Sequence, residues 1–154
     1  MSRFVATELI LLTLVLAGCS RPAPDVVRFA PTVAGQEKTT VAGRDHMVRW
    51  VQNRTDFTID HQGSPRRVKL SFRVASHQAE RHVWLEQDGN ALPTRESVSR
   101  DFWEGGDVWV SNIVTLHEGQ NHFTIVADGQ PVDVTPGRPV VLLLIDDVML
   151  ENQS

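Results

Sequence analysis

The sequence predicts an all-β fold, a single β-sandwich of the jelly-roll or immunoglobulin-like type. Residues 68–74 alternate strictly between apolar and polar side chains, as expected of a strand with one buried and one wet face. Other short apolar segments are separated by turns rich in glycine and proline. No segment shows a sustained helical period. Short strands joined by such turns are typical of sandwiches.

The first half of the expected domain contains four strand candidates. Residues 47–51 and 57–60 are the weaker two. Residues 68–74 form the clearest strand, and residues 81–87 alternate in the same way. The sequence Asp88-Gly89-Asn90 then predicts a tight turn. We expect the strands at 68–74 and 81–87 to form a hairpin-like pair.

The second half contains three more strand candidates. Residues 108–116 repeat the alternation, and Gly119 then permits the positive φ of a turn before a strand at residues 122–127. After another turn-rich stretch, residues 140–145 are apolar at every position. This last run predicts a strand that is covered on both faces.

The first 18 residues have the layout of a secretory signal. A positive charge at Arg3 precedes an apolar stretch at residues 9–16, which ends in the small residues Ala17 and Gly18. The apolar stretch is too short for a membrane-spanning helix, which needs about 20 residues. We therefore expect residues 1–18 to be a signal peptide that is removed.

The tetrapeptide Leu16-Ala17-Gly18-Cys19 resembles the lipobox of bacterial lipoproteins. The resemblance implies that the Cys19 thiol carries a diacylglyceryl group with fatty-acyl chains such as palmitate, and that cleavage makes Cys19 the first mature residue. Two or more acyl chains suffice for stable membrane anchoring. Cys19 is the only cysteine, so the chain cannot form an internal disulfide. The alternative is an ordinary signal peptide with a cysteine nearby by chance.

The same resemblance bears on localisation. In lipoproteins, an aspartate directly after the cysteine favours the inner membrane of diderm bacteria, and here that position is Ser20. The resemblance therefore implies a cell-envelope protein, on the outer membrane if the organism is diderm. It implies no cofactor other than the covalent lipid on Cys19.

Residues 19–43 are rich in proline, alanine, threonine, glycine and glutamine, a composition that predicts a flexible tether. Alternatively, residues 26–29 dock on the domain as an edge strand. The domain itself is expected at residues 44–154, a length that suits one hydrophobic core.

The charge of the chain argues against nucleic acid as a partner. The net charge is −4, and removing the signal leaves it unchanged because Arg3 and Glu8 cancel. A nucleic-acid-binding domain normally carries a basic stripe, whereas Arg66, Arg67 and the other arginines are interleaved with acids.

A second resemblance covers roughly residues 50–150. The pattern Leu116-x-x-Gly119-x-Asn121-x-Phe123-x-Ile125, between an alternating strand and a closing apolar strand, is similar to that of β-sandwich modules attached to bacterial glycosyltransferases and other carbohydrate-active proteins. The resemblance implies a sandwich and, less directly, sugar binding. The turn itself closes a hairpin and need not bind a ligand.

Tryptophan is the most informative residue type, since the chain has four and no tyrosine. Trp84 and Trp109 lie on the polar-flanked faces of their strands, where exposed and adjacent indoles would form a platform for a sugar ring. Trp103 lies in a glycine-rich loop that could close over it. Glu86 and Asp107 are candidate acceptors for sugar hydroxyls. The alternative is that the tryptophans are buried in the core.

Catalytic and metal-binding patterns are weak. The chain has no Gly-x-Ser-x-Gly motif, and its cysteine is expected to carry lipid. Glu86, Glu104 and Asp107 could in principle serve glycoside hydrolysis. His117 and His122 are five residues apart, which points to opposite faces of an extended strand, and no zinc-type spacing accompanies them. We therefore expect neither an enzyme nor a resident metal.

The sequence thus predicts a membrane-anchored lipoprotein with a non-catalytic β-sandwich that binds cell-envelope carbohydrate. The alternative is a structural or assembly lipoprotein that docks a membrane-protein partner. Sugar binding predicts exposed, roughly coplanar indoles in a concavity, whereas docking predicts a flatter apolar patch or an uncovered strand edge.

Overall fold

The computed structural model describes residues 23–41, 43–76, 79–98, 106–135 and 138–153. The predicted signal peptide, Cys19 and Trp103 lie outside these ranges. In chain order, the strands of the described residues are β1 (Val26–Phe29), β2 (Glu37–Val41), β3 (Arg44–Val51), β4 (Arg54–His61), β5 (Arg66–Ser76), β6 (Arg81–Gln87), β7 (Asn90–Val98), β8 (Asp107–Leu116), β9 (Gly119–Ala127), β10 (Val132–Thr135), β11 (Arg138–Val140) and β12 (Leu142–Asn152).

The strands form a β-sandwich, so the all-β prediction is confirmed. The first sheet has the order β1-β4-β9-β6-β7, and the second has the order β2-β3-β12-β5-β8. The strands within each sheet pair antiparallel, and β10 and β11 form a separate two-stranded ribbon. Most connections cross from one sheet to the other, as in jelly rolls.

The core lies between the two sheets. Inward-facing side chains of both sheets form one buried cluster, with Phe57 and Phe123 from the first sheet and Phe72 and Leu142 from the second. Each such side chain contributes roughly 1.5–3 kcal/mol when it leaves water. The alternation of residues 68–74 is therefore explained by one strand face in this core and the other outside it.

The run at residues 140–145 is covered on both faces over its described side chains, as predicted. Leu142 and Leu144 face the main core. Leu143 and Ile145 point to the outer face of the second sheet, where they form a smaller buried cluster with three other side chains. These three are Val48, Trp50 and Ala75.

The hairpin-like pair expected between residues 68–74 and 81–87 is wrong. β5 pairs with β12 and β8 in the second sheet, whereas β6 pairs with β7 and β9 in the first. The alternation showed which face of each strand is buried, but not which strand lies beside it. The turn at Asp88 and Gly89 instead joins β6 to β7, a strand that the sequence analysis missed.

Part of the segment that was expected to be a tether belongs to the sandwich. β1 pairs with β4, so the edge-strand alternative describes residues 26–29, and β2 pairs with β3. Phe29 explains the docking of β1, because its ring lies 5.5 Å from the ring of Phe57 and under the guanidinium of Arg49. Pro31 lies in the turn after β1, where its lack of an N–H has no cost.

Candidate functional site

The structure does not bring Trp84 and Trp109 together. Trp84 lies on β6 of the first sheet and Trp109 on β8 of the second. Val83 and Leu85 beside Trp84, and Val110 beside Trp109, point into the core. The two indoles therefore project from opposite outer faces of the sandwich and cannot form one platform.

Trp84 belongs to a network of polar contacts on the outer face of the first sheet. The guanidinium of Arg95 lies 4.1 Å from the centre of its ring. Its Nε1 donates a hydrogen bond of 3.3 Å to Oε1 of Glu86, and Arg54 donates one of 2.5 Å to Oε2 of Glu86. The hydrogen bond from Arg54 holds the pKa of Glu86 below its ordinary value. One face of the Trp84 ring and the Glu86 carboxylate are thus occupied within the protein.

Trp109, in contrast, is 46% exposed. It pairs with Arg73 of β5 across the second sheet, and Asp107 lies two residues before it on the same face of β8. Nε of Arg73 lies 3.1 Å from Oδ2 of Asp107. Nη2 of Arg73 donates a hydrogen bond of 3.2 Å to Nδ1 of His46. The exposed indole of Trp109 therefore lies beside the ion pair of Arg73 and Asp107, and His46 helps to hold the guanidinium of Arg73 in place.

The outer face of the second sheet continues from Trp109 towards the far end of β8. Ser71 and Ser111 lie side by side and share a hydrogen bond of 2.9 Å between their hydroxyls. Ile113 and Met149 flank them and are 45% and 43% exposed. We call this surface the Trp109 face; it consists of the exposed or half-buried side chains of Arg73, Asp107, Trp109, Ser111, Ile113 and Met149.

Trp109 and Asp107 were predicted as site residues from the sequence, but the other members of the Trp109 face were not. Ile113 carried a usable signal, because it falls on the wet side of an alternating strand and is apolar. Arg73 and Met149 could not be found in this way. They join the surface only through the pairing of β5 with β8 and of β12 with β5.

Two grooves lie elsewhere on the described surface. One, of about 490 Å³, crosses the outer face of the first sheet and includes Arg28, Asp56, Thr58, His122 and Thr124. The other, of about 560 Å³, is lined by residues of and near β1, β3 and β12, among them Arg49 and Asp147. Neither of these two grooves contains Trp109.

The candidate acidic residues do not meet. Glu86 is on the first sheet and Asp107 on the second, so these two cannot flank one glycosidic bond. Glu104 lies outside the described residues. Within the ranges that the structure covers, no three histidine, cysteine, aspartate or glutamate side chains are placed to hold a metal ion.

Asn121 of the Leu-x-x-Gly-x-Asn pattern has a structural role. Its Oδ1 accepts a hydrogen bond of 2.9 Å from the backbone N–H of His117. Its Nδ2 donates to the carbonyls of His117, Gly119 and Ile59 at 2.8, 3.2 and 3.3 Å. The amide is thus fully engaged in closing the turn between β8 and β9, as that pattern predicts.

No helix in the part of the chain that the structure covers is long and apolar enough to cross a membrane.

Comparisons with known proteins reveal a likeness of fold. No protein-family model matches the sequence, and neither does any curated protein. Among solved structures, the mosquito-larvicidal Cry4Aa toxin from Bacillus thuringiensis is similar to this chain, with 13% identity and a TM-score of 0.50. The similarity covers 84% of this chain and 24% of the toxin.

Two further structures are binding modules. The CBM35 from Paenibacillus barcinonensis covers 83% of this chain over 99% of its own, with 13% identity and a TM-score of 0.45. A second similar structure is a carbohydrate-binding module from the Cellvibrio mixtus lichenase 5A, in complex with cellotriose. The similarity covers 84% of this chain and 97% of the module, with 13% identity and a TM-score of 0.46. At these identities the comparisons bear on the β-sandwich fold alone.

Proposed function

We propose that this chain is a lipid-anchored, non-catalytic module of the bacterial cell envelope that binds carbohydrate on the Trp109 face. The exposure of Trp109 beside the Arg73 and Asp107 pair carries this proposal. The sequence resemblance to sandwich modules of carbohydrate-active proteins points the same way.

The Trp109 face offers the two kinds of contact that a sugar requires. The exposed indole gives an apolar plane for the C–H face of a pyranose ring. Asp107 retains acceptor capacity for hydroxyl groups, and Arg73 carries donors. The half-buried hydroxyl of Ser111, which is hydrogen-bonded to the buried Ser71, adds one further polar group along the sheet. Because Arg73 and Asp107 are already paired, they are held in position before the ligand arrives.

Glu86 and Asp107 lie on different sheets, so these two carboxylates cannot act together on one glycosidic bond. Trp84 and Glu86, which the sequence suggested for the sugar site, are engaged with Arg95 and Arg54 instead. We therefore assign the sugar contacts to the Trp109 face and leave Trp84 and Glu86 outside it.

Calorimetric titration tests the binding site. Fragments of the source organism's envelope polysaccharides are titrated into the full chain, into Trp109→Ala, and into Trp84→Ala as the matched control. We expect saturable binding that weakens about tenfold or more in Trp109→Ala, because stacking on an indole contributes on the order of 1.5 kcal/mol. Trp84→Ala should bind as the wild type does. Equal binding in the wild type and Trp109→Ala would remove the assignment.

The lipid anchor has a separate test. Growth with a clickable fatty acid should label the wild-type chain and leave Cys19→Ala unlabelled, because the acyl chains are expected on that thiol. Ser20→Asp should then shift the labelled protein towards the inner membrane in a diderm host. Equal labelling of Cys19→Ala would exclude an acyl anchor at this residue.

A second candidate function is docking of a membrane-protein partner, and the exposure of Ile113 and Met149 beside Trp109 favours it. Three exposed apolar side chains on one face of the sheet suit a protein interface as well as a sugar. The double variant Ile113→Ser with Met149→Ser separates the two functions. It should abolish assembly with a docked partner in cells, whereas it should weaken sugar binding less than Trp109→Ala does.

A further inference from the structure

A buried ionic cluster ties the start of the described chain to the sandwich. The side chains of Asp25 and His61 are only 4% and 5% exposed, and Oδ1 of Asp25 lies 2.8 Å from Nδ1 of His61. Arg66 contacts the other carboxylate oxygen of Asp25, and it also donates a hydrogen bond of 2.8 Å to Asn152. Asp25 directly precedes β1, so this cluster lies at the start of that strand.

The hydrogen-bond partners of His61 fix its protonation state. Nε2 lies 3.0 Å from the carbonyl oxygen of Ser64, which can only accept, so Nε2 carries a hydrogen. Nδ1 faces the carboxylate of Asp25. This carboxylate is also an acceptor as long as it is ionised, and the contact with the cation of Arg66 favours the ionised form. Both ring nitrogens must therefore donate, and His61 is an imidazolium when the cluster is complete.

The groups that act on His61 come from each element packed against it. The carbonyl of Ser64 in the turn after β4 and the carboxylate of Asp25 before β1 both favour the charged ring, in that order. Burial and the charge of Arg66 on β5 oppose it. The two acceptors prevail and hold the pKa of His61 above its ordinary value of 6.5.

We propose that Asp25, His61 and Arg66 form a proton-dependent latch, which holds β1 against the sandwich while His61 is charged and weakens when His61 loses its proton. A neutral ring has one N–H for two acceptors. Either the buried carboxylate of Asp25 or the Ser64 carbonyl then loses its hydrogen bond to His61.

β1 is the element that such a latch can control. It has four residues and is one of the two edge strands of the first sheet, with two of its four side chains exposed. Short edge strands with few buried contacts open at a lower free energy than the core strands. Loss of the latch should therefore free β1 before it disturbs the rest of the sandwich.

The sign of the pH dependence follows from the direction of the shift. Because folding raises the pKa of His61, the stabilisation is complete below about pH 6.5. It is lost as the pH rises through the higher value of the folded state. The latch is thus closed in mildly acidic conditions and weakened in alkaline ones.

The test is backbone amide exchange of the full chain, measured by NMR as protection factors between pH 5 and pH 9, together with titration of the His61 ring. We expect protection of the β1 amides to fall with rising pH, by about tenfold for each unit by which folding raises the pKa of His61. The amides of β5 should keep their protection. His61→Gln should remove the pH dependence, since its amide does not titrate.

Asp25→Asn and the pair of His82 and Asp128 provide controls. In Asp25→Asn, a neutral His61 can accept from the new amide at Nδ1, so the pKa of His61 should fall and protection of β1 should no longer decrease with pH. Nδ1 of His82 lies 2.8 Å from Oδ2 of Asp128, a histidine–aspartate contact as short as that of His61 with Asp25, but these two side chains are 54% and 44% exposed. Their disruption in His82→Gln should leave β1 unchanged.

Three outcomes would overturn the latch. The first is protection of β1 that does not vary with pH. The second is a loss of protection that persists in His61→Gln. The third is an equal loss at β5, which would mean that the cluster stabilises the whole fold and does not control the N-terminal segment.

Discussion

Gly129 lies directly against the guanidinium of Arg81. A Cβ at residue 129 would overlap Nη1 of Arg81, and the φ of Gly129 is 87°. Arg81 is only 2% exposed, and it donates hydrogen bonds to the carbonyls of Asp128 and Gln130 at 3.0 and 2.7 Å. The missing side chain of Gly129 is what allows the backbone to wrap around a buried cation.

Gly129→Ala should therefore destabilise the domain through two separate effects. The positive φ costs about 1–2 kcal/mol for any residue with a Cβ, and the overlap with Arg81 adds about 1–3 kcal/mol. Gly89→Ala is the matched control, because Gly89 has a φ of 80° and nothing within 4 Å of a built Cβ. Urea unfolding of both variants measures the difference. In an Arg81→Ala background there is no guanidinium to overlap, so Gly129→Ala should cost only as much as Gly89→Ala does. If Gly129→Ala lowered the unfolding free energy equally in the wild type and in Arg81→Ala, this explanation would be wrong.

Asn121→Ala should cost about 1–3 kcal/mol of unfolding free energy, because it removes the hydrogen bonds to part-buried backbone groups of the turn between β8 and β9 and to the buried carbonyl of Ile59. Asn90→Ala is the comparison, since Nδ2 of Asn90 makes one 3.3 Å bond to the Asp88 carbonyl on an exposed turn. Its effect should stay within about 0.5 kcal/mol. Similar losses in the two variants, measured by chemical denaturation, would show that the Asn121 contacts do not stabilise the turn.

The pairing of Glu86 with Arg54 should contribute to stability only above a certain pH. Because Arg54 holds the pKa of Glu86 below 4.5, the contribution is present above that value and is lost as the pH falls through the folded-state pKa. Since Arg54 is largely exposed, we expect less than about 1 kcal/mol between the wild type and Glu86→Gln at pH 7. The difference should vanish at acidic pH in urea titrations. A difference that grows on acidification would contradict the sign.

Iodide quenching should distinguish the tryptophans without any ligand. Trp109 is 46% exposed and Trp50 is 7% exposed. Trp109→Phe should therefore remove much more of the quenchable fluorescence than Trp50→Phe. If Trp50→Phe removed the larger share, the outer face of the second sheet would be covered differently from the arrangement described above.

The sequence predicted those strands whose burial is visible in a local pattern. The alternation of residues 68–74 and the apolar run at residues 140–145 both reflect which sides of a strand meet other atoms. β7 was missed for the opposite reason. It is an edge strand with Pro93 in its middle and largely exposed side chains, so neither composition nor alternation marks it.

The candidate site was predictable only in part, because it depends on which strands are neighbours. Trp84 and Trp109 look equivalent along the chain, because each has polar residues two positions before and after it. Their assignment to different sheets, and the placement of Arg73 beside Trp109, depend on pairings between residues far apart in sequence. The buried pair of Asp25 and His61 has the same origin, since Asp25 lies in a proline-rich stretch that suggested a tether.

The position of Asp25 also limits the distance between the domain and a bilayer to which Cys19 is anchored. Cys19 precedes Asp25 by six residues, and a chain of that length spans at most roughly 20 Å. Arg66 pairs with Leu116 at one end of β8, whereas Trp109 lies seven residues away at the other end, about 23 Å along the strand. If Cys19 carries the lipid, the end of the sandwich that contains Asp25 and Arg66 stays within about 20 Å of the headgroups, and Trp109 lies about 23 Å from that end along β8. The polymer that it meets would then be one that lies over the membrane surface, within a few nanometres of the lipid.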